Sequence, residues 1–389
     1  INGYTTGGFD RAYIRNPDRQ LNDWPNDQSA TTPHYGAAFL FMTYFLDRFG
    51  EDAAKALVRH PANGLESVDS VLEEIAATDP LTGAPITADS FFMDWAVTNF
   101  LLDGSFGDGR FVYGNYPGAS RAFPTETVSA CPQSPAARTV HQYGADYIAI
   151  ECAGDYTLSF AGSTAADLLP ADPYSGDYAF WSNKGDESNM TLTREFDFTS
   201  VEAPIEFSFR MWYDIETDWD YLYLEVSEDG EMWEIVATPS GTGTNPSGNS
   251  YGWGYTGVTD GWVEEKIDLS RYAGRKIFVR FDYVTDAAVN GEGFLLDDVR
   301  VDAAGYSSDF EADDGGWIAD GFARVRNVLP QTFGLALILP GDSSVTTIPL
   351  ADDQTAEISL SLSPGEKAYL VVSGTTRFTR ALASYQFEI

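Results

Sequence analysis

The stretch PIEFSFRMWYDIETDWDYLYLEVSEDGEMWEIV, residues 204–236, decides the fold class of the middle of this chain. Apolar and polar residues alternate on both sides of its acidic centre, and a period of two is typical of half-buried β-strands. The Asp-Gly pair at positions 229 and 230 can adopt the positive φ angles that a tight hairpin turn needs. The stretch therefore predicts antiparallel strands joined by short turns.

Similar strand patterns continue on both sides, and they predict β-sandwiches. At least six strands fall within about 130 residues, at 175–305, and these form one predicted jelly-roll-like domain. Strands also occupy 116–174 and 306–389. We favour a single sandwich formed by those two segments, with 175–305 inserted into it. Three consecutive domains are the alternative.

Residues 1–115 have helical rather than strand periodicity. In TPHYGAAFLFMTYFLDRFG, residues 32–50, Thr32 is the expected N-cap, Pro33 suits the first turn and Gly50 ends the helix. Further helices are predicted at 52–60, at 68–76 and after Thr87. The expected fold class is α+β and multidomain: an N-terminal helical subdomain followed by two antiparallel β-sandwich domains.

The strong negative charge limits the classes of partner. A formal net charge of −36 repels nucleic acid phosphates and anionic lipids, and it favours cations. No apolar run approaches the roughly 20 residues of a membrane span. The chain opens with INGYTTGG and carries no signal-peptide pattern, so we expect a mature or cleaved piece of a precursor.

Only two cysteines are present, Cys131 and Cys152, and they flank one predicted strand region. This pattern predicts a disulfide in a secreted or cell-surface protein, because disulfides persist in oxidising compartments. Two buried free thiols are the alternative.

Clustered carboxylates predict a calcium site, since Ca²⁺ takes several oxygen ligands. Four acids in YDIETDWDY, residues 213–221, recur at alternate positions, which would place them on one side of a strand. Another pair lies within the apolar strand GFLLDDVRV, residues 293–301. The calcium candidates are Asp186, Glu187, Asp218, Asp220, Asp297 and Asp298. Solvation of these acids, or pairing with Arg194, Arg210 and Arg280, is the alternative.

The sequence contains few of the residues that a zinc peptidase site needs. The sequence contains no HExxH motif, and its three histidines, His34, His60 and His141, are far apart. Aromatic residues in NPSGNSYGWGYTG, residues 245–257, suggest a carbohydrate platform around Trp253 or rings that only cover the end of a sandwich.

The middle block resembles a known module. The segments YAFWSNKGDESNMTLTREFDF (178–198), FSFRMWYDIETDWDYLYLEVSEDGEMWEIV (207–236) and GYTGVTDGWVEEKIDLSRYAGRKIFVRFDYVTDAAVNGEGFLLDDVRV (254–301) resemble, in order and spacing, the MAM-like β-sandwich of immune-inhibitor-A-type secreted metallopeptidases. That resemblance implies a jelly roll that often binds calcium.

The helical segment resembles part of a second family. GGFDRAYIRNPDRQLNDWPNDQSATTPHYGAAFLFMTYFLDRFGEDAAKALVRHPANGLESVDSVL, residues 7–72, is similar to the rear half of a gluzincin catalytic domain. In that pattern HExxH and the third zinc ligand, a glutamate, lie upstream, so zinc is expected only together with an N-terminal half of the same precursor. The resemblance implies that His34 or Tyr35 could stabilise the oxyanion, although either could simply bond nearby backbone.

Two functions follow as expectations. The first is the C-terminal portion of an extracellular zinc metallopeptidase that acts on proteins and is not catalytic in these 389 residues alone. The second is an extracellular structural or adhesive protein built from β-sandwich modules. Strand addition at exposed sheet edges would serve the second function.

Overall fold

The computed structural model describes residues 7–25 and 27–389, which form two compact units. Unit 1 combines the residues up to Leu168 with Val328–Ile389, and unit 2 is the continuous segment Leu169–Asn327. The fold is α+β, with helices preceding several mainly antiparallel sheets, as predicted. Among the described helices, none is both long enough and apolar enough to cross a membrane.

The described part of unit 1 begins with the α-helices α1 (Phe9–Ile14), α2 (Thr32–Arg59), α3 (Gly64–Glu74) and α4 (Ala88–Leu101). Thr31 rather than Thr32 occupies the N-cap position of α2. Gly50 has a non-helical backbone, with a φ of 82° that suits glycine, so α2 consists of two helices that meet at a kink there, as the predicted helix end at Gly50 requires. The predicted cap of α4 is confirmed: Thr87 and Ser90 form a reciprocal capping box.

The strands, in chain order, fall into three groups. Before unit 2 come β1 (Glu126–Val128), β2 (Ala136–Val140), β3 (Asp146–Ile150), β4 (Gly154–Gly162) and β5 (Ala165–Ala166). Unit 2 contains β6 (Tyr178–Trp181), β7 (Asn189–Asp197), β8 (Glu206–Ile215), β9 (Tyr221–Ser227), β10 (Glu234–Ile235), β11 (Gly257–Val258), β12 (Val263–Asp268), β13 (Lys276–Val284), β14 (Gly293–Val301), β15 (Tyr306–Ser308), β16 (Ile318–Asp320) and β17 (Ala323–Arg326). After it come β18 (Leu329–Pro330), β19 (Phe333–Leu339), β20 (Ser344–Ile348), β21 (Thr355–Leu362), β22 (Ala368–Gly374) and β23 (Ala383–Glu388).

Two sheets of unit 1 enclose one apolar core. Their strand orders are β1-β3-β22-β19-β20 and β2-β23-β4-β21, and β18 pairs with β5 separately. Only β1 and β3 are paired in parallel among the ladders of the described chain. Leu335 and Leu337 of β19 join the core between the sheets, whereas Ala336 and Ile338 join the core formed with the helices. Alternate side chains of a strand point to opposite faces, so β19 is buried on both faces.

Unit 2 is a second sandwich with its own core. One sheet has the order β10-β9-β13-β7-β16, and the other has β11-β8-β14-β6-β17 with β12 on β8 and β15 on β14. Aromatic side chains fill the space between them, and Phe209, Phe281 and Phe294 lie in contact there. The Asp229–Gly230 turn does connect β9 to β10, which pair as an antiparallel hairpin.

Candidate metal centre

Three carboxylates meet at the end of unit 2 where β8 and β13 finish and β9 begins. Glu216 and Asp220 bound the turn between β8 and β9, and Asp286 follows β13. Because β13 pairs with β9 so that Val284 lies opposite Tyr221, Asp286 comes beside Asp220. The main-chain N–H of Asp286 donates a 2.8 Å hydrogen bond to Oδ1 of Asp220 and so joins the two segments.

The geometry of this cluster leaves two oxygens unsatisfied. One carboxylate oxygen from each of Glu216, Asp220 and Asp286 lies within 4.8 Å of the others. Asp220 is 0% exposed. Its Oδ2, like the buried Oε2 of Glu216, has no hydrogen-bond partner in residues 7–25 and 27–389. A buried charged oxygen without a partner destabilises the fold, and a cation would satisfy both atoms. Oxygen-only donors fit a hard cation such as Ca²⁺.

The electrostatics point the same way. Burial, followed by repulsion from Asp220, Asp286 and Asp186, raises the pKa of Glu216 to about 7. Burial also raises the pKa of Asp220 to about 6, with repulsion from Asp286 and Asp186 adding to it against the hydrogen bond from the Asp286 N–H. Both shifts record how unfavourable these negative charges are without a compensating positive charge.

A tyrosine hydroxyl belongs to the same environment. Tyr283 is fully buried on β13, and its Oη has no hydrogen-bond partner within the part of the chain that the structure describes. Burial raises its pKa strongly, and the negative charges of Asp220, Asp214 and Glu216 raise it further. This hydroxyl could donate to water held near the carboxylates, since a buried donor needs an acceptor.

The other predicted acids of this end surround the cluster without joining it. The main-chain N–H of Glu187 donates to the Asp286 carbonyl at 2.5 Å, and the exposed Asp186 accepts a 2.7 Å bond from Asn290. Asp218 has a left-handed φ of 68°, and its main-chain N–H donates to Thr256 at 2.8 Å. The acids of residues 213–221 do not all lie on one side of a strand, as their alternation predicted, because Glu216–Asp220 form the turn between β8 and β9.

Asp297 and Asp298 occupy a separate location. Asp297 lies opposite Arg210, four positions along β14 from Gly293, which is about 13 Å at the usual rise of a strand. Its buried carboxylate accepts bonds from the N–H groups of Ser175 (3.0 Å) and Asp298 (2.7 Å). Burial nevertheless raises its pKa to about 7 against those bonds.

Ser175 also links the second aspartate of that pair. Its hydroxyl donates to Asp298 at 3.0 Å. Asp298 itself has a φ of 47°, at the bulge where the β14 register shifts relative to β8. Asp297 and Asp298 are therefore held by local hydrogen bonds, apart from the three carboxylates at the end of the sandwich.

His34 and Tyr35, at the start of α2, have different surroundings. His34 is 9% exposed, and its Nδ1 lies 3.2 Å from the Asp23 carbonyl. Burial lowers its pKa. Tyr35 is 52% exposed, and its ring meets Trp24 edge-on with 4.8 Å between centroids. Of the two, only Tyr35 presents its side chain to solvent.

The predicted disulfide is confirmed. Cys131 and Cys152 are bonded and lie 21 positions apart, with 5.9 Å between their Cα atoms. Cys152 is buried in the sandwich core of unit 1, and Cys131 packs against that core.

Two of the three clustered carboxylates were not among the predicted candidates. Glu216 belongs to the alternating acids of residues 213–221 but is not one of the predicted calcium candidates, and neither is Asp286. Asp286 is 66 positions from Asp220, so only the pairing of β13 with β9 reveals their proximity. A usable signal was its place just after the predicted strand KIFVRFDYVT, residues 276–285.

A family model described as "Immune inhibitor A-like, MAM domain" matches residues 164–327. Pre-pro-metalloprotease PrtV of Vibrio cholerae serotype O1 is 30% identical over 135 residues, which are 34% of this chain and 14% of PrtV. Immune inhibitor A of Bacillus thuringiensis subsp. alesti is 32% identical over 151 residues, which cover 37% of this chain and 20% of that protein.

Bacillopeptidase F of Bacillus subtilis is 31% identical over 122 residues, which are 30% of this chain and 7% of that protein. In each of these relatives the match spans a fifth of the length or less. The resemblance predicted for the middle of the chain is confirmed: residues 164–327 match the immune inhibitor A-like MAM domain, with partial homology to PrtV, immune inhibitor A and bacillopeptidase F.

Proposed function

We propose that this chain is part of a secreted metallopeptidase of the immune inhibitor A type, whose MAM domain is stabilised by calcium. The family match at residues 164–327 is the observation that carries the proposal. The name of one relative, PrtV, includes the word metalloprotease. The Cys131–Cys152 disulfide suits an extracellular location, because structural disulfides persist outside the reducing cytosol.

The helices of unit 1 contribute one wall of the proposed peptidase site. Phe9, Trp24 and Tyr35 are 40%, 42% and 52% exposed, and the ring of Tyr35 contacts each of the other two rings. A contiguous group of exposed rings is typical of a surface that meets another molecule or another part of the same protein. Protein substrate, or the part of the precursor that carries the zinc ligands, is the proposed partner of this surface.

Tyr35 is the better candidate for stabilising an oxyanion. Its side chain is exposed, whereas the Nδ1 of buried His34 already contacts the Asp23 carbonyl. A phenol that donates to the oxyanion lowers the barrier only when charge develops in the transition state. In the whole encoded protein, Tyr35→Phe should lower kcat by about 10²-fold with KM little changed. A wild-type kcat for Tyr35→Phe would remove Tyr35 from the mechanism.

These 389 residues alone are proposed to be inactive as a peptidase. They contain no HExxH, so no paired histidines are available on one helix to hold zinc beside a glutamate base. The test is zinc analysis together with a casein hydrolysis assay on this chain. Stoichiometric zinc with hydrolysis would contradict the proposal. Inactivity of the whole encoded protein as well would favour the alternative, an extracellular structural or adhesive protein.

Glu216, Asp220 and Asp286 are the proposed ligands of a calcium ion. When bound, the ion would supply the positive charge that these carboxylates lack. Its role in the MAM domain is structural: it would hold the β8–β9 turn to the segment that follows β13. The proposal is tested by calcium titration of the chain with and without Asp220→Asn, in which loss of calcium binding by the variant is expected.

A further inference from the structure

A cleft of about 290 Å³ opens on unit 2 beside the acidic cluster. The residues that matter to its chemistry are two aromatic rings, Trp219 and Tyr251, and two polar side chains, Asn249 and Asp286. A concave site that combines aromatic surface with a few placed polar groups is typical of small-ligand recognition.

The two rings are exposed, yet their segments are held in place. Trp219 is 47% exposed and Tyr251 is 74% exposed. The main-chain N–H of Tyr251 donates to the buried Tyr223 hydroxyl at 2.9 Å, and the Tyr251 ring lies 5.9 Å from the Tyr223 ring. The Trp219 carbonyl accepts a 3.2 Å hydrogen bond from Asn249. The protein thus presents two large apolar faces to water from anchored positions, which indicates a binding surface.

The polar side chains form a pair between the rings and the cluster. Nδ2 of Asn249 donates to Oδ2 of Asp286 at 3.3 Å as well as to the Trp219 carbonyl. Within the described chain, Oδ1 of Asn249 receives no hydrogen bond. An amide and a carboxylate side by side offer both a donor and acceptors, which matches a ligand whose groups can donate and accept.

We propose that this cleft binds a neutral carbohydrate. One face of a sugar ring would lie against Trp219 or Tyr251 through its C–H groups, and neighbouring hydroxyls would bond to Asn249 and Asp286. Tyrosine and tryptophan suit this contact because each combines an apolar body with a polar edge. This site goes beyond the proposed peptidase and calcium roles, since nothing in either requires a glycan.

Charge decides between the ligand classes. The net charge of −36 and the Asp286 carboxylate disfavour sialylated or sulfated sugars. A basic peptide would be attracted in general, but Asp286 already faces Glu216 and Asp220 within 4.8 Å, where a metal ion would neutralise it. The hydroxyls of a neutral sugar can hydrogen-bond to Asn249 and Asp286 even when a metal ion neutralises the Asp286 carboxylate.

The location differs from the one expected from sequence. Trp253 is turned onto its own loop: its Nε1 donates to the Thr238 carbonyl at 2.9 Å. Its ring also lies so close to Gly241 that an added Cβ there would be 2.7 Å from Nε1. Trp253 is 40% exposed but is bonded to the Thr238 carbonyl and does not line the cleft, whereas Trp219 and Tyr251, the latter from the same predicted loop, do line it.

The test uses the whole 389-residue chain on an array of neutral and sialylated glycans. The neutral glycan with the strongest signal is then titrated by tryptophan fluorescence or calorimetry. Trp219→Ala and Tyr251→Ala should each weaken binding by about tenfold or more. Phe123→Ala, which removes an equally exposed ring (74%) from unit 1, should leave the affinity unchanged.

Each other outcome overturns the inference. The first is the absence of binding to every neutral glycan, and the second is an affinity of Trp219→Ala and Tyr251→Ala equal to that of the wild type. The third is binding only to sialylated glycans, or only to an oligoarginine peptide that is titrated in parallel as the basic probe. Calcium titration of Tyr251→Ala separates this site from the metal centre, because Tyr251 lies outside the segments that carry Glu216, Asp220 and Asp286, and calcium affinity should be retained.

Discussion

Asp220 and Asp286 are joined by a 2.8 Å hydrogen bond from the main-chain N–H of Asp286 to Oδ1 of Asp220, while Oδ2 of Asp220 is buried with no hydrogen-bond partner in the described chain. One carboxylate thus ties two segments that are 66 positions apart and still keeps one oxygen for a ligand. Together with Glu216, Asp220 and Asp286 form the acidic cluster of unit 2.

The disulfide should stabilise unit 1. In the chain-entropy account, a cross-link spanning 21 positions stabilises the folded state by about 3 kcal/mol. Replacing both Cys131 and Cys152 by serine should lower the free energy of unfolding of unit 1 by about that amount. Urea unfolding followed by a probe in unit 1 measures it, and the calcium affinity of unit 2 should not change. Equal stability of the variant and the wild type would contradict the expectation.

Arg110 should be a major stabilising residue of the helical region. Its side chain is 5% exposed and makes ion pairs with Asp79 (2.6 Å), Asp94 (3.0 Å) and Asp108 (2.7 Å). Removing Arg110 takes the cationic partner from Asp79 and Asp108 and leaves the partly buried Asp94 with only its longer ion pair to Arg48 (3.3 Å), and breaking a buried ionic network is strongly destabilising. Arg110→Ala should therefore cost about 3 kcal/mol in thermal or urea unfolding.

The matched control for Arg110 is Lys55→Ala, which removes the exposed ion pair between Lys55 and Glu51. Pairs of that kind contribute about 0.5 kcal/mol or less. If Arg110→Ala and Lys55→Ala lower the free energy of unfolding by similar amounts, the Arg110 network contributes no more to stability than an exposed ion pair.

Asp146 should make the stability of unit 1 fall as pH rises. Burial, with repulsion from Asp18 and Glu126 adding to it, raises the pKa of Asp146 to about 6 against the hydrogen bond from Tyr385. Between about pH 4 and pH 6 the folded state holds more protons than the unfolded state, so stability decreases with pH and then levels off.

The variant Asp146→Asn isolates this effect. It should be more stable than the wild type at pH 8, by about 1–2 kcal/mol, and nearly equal to it at pH 4. Thermal unfolding at the two pH values measures the difference. A variant that is less stable than the wild type at pH 8 would contradict the assigned cause of the shift.

Local patterns in the sequence were enough to predict the strands, the helices and the α4 cap. The alternation in residues 204–236 becomes β8, β9 and β10, and Thr87 caps α4. Each of these features depends on neighbours within a few positions. Gly50 was expected to end the first helix, and its non-helical backbone (φ 82°, ψ 178°) does separate that helix from the one that follows within Thr32–Arg59.

The metal centre could be predicted only in part, because its members depend on strand pairing. Asp220 was selected from its own acidic segment. Asp286 enters the cluster through the register of β13 with β9, which no local pattern specifies. Asp297 and Asp298 are candidates for the same chemical reason, but they accept hydrogen bonds from Ser175, which is more than 120 positions away in the sequence, and Asp297 lies about 13 Å along β14 from Gly293.

The central claim is that Glu216, Asp220 and Asp286 form a calcium site, and thermal unfolding of unit 2 with and without calcium tests it most directly. At a calcium concentration 100 times Kd, the wild type should gain about 2.7 kcal/mol, a rise in melting temperature of roughly 5–10 °C. Asp260→Asn, which neutralises an exposed carboxylate of the same unit, should keep the full shift.

Asp220→Asn should lose that shift. In chelator it should be at least as stable as the wild type, since it removes a buried charge whose pKa is raised to about 6. We therefore expect the order of stability to reverse: the variant equals or exceeds the wild type in chelator, and the wild type exceeds the variant in calcium. A wild-type melting temperature that does not change with calcium, or a shift that persists in Asp220→Asn, would contradict the assignment.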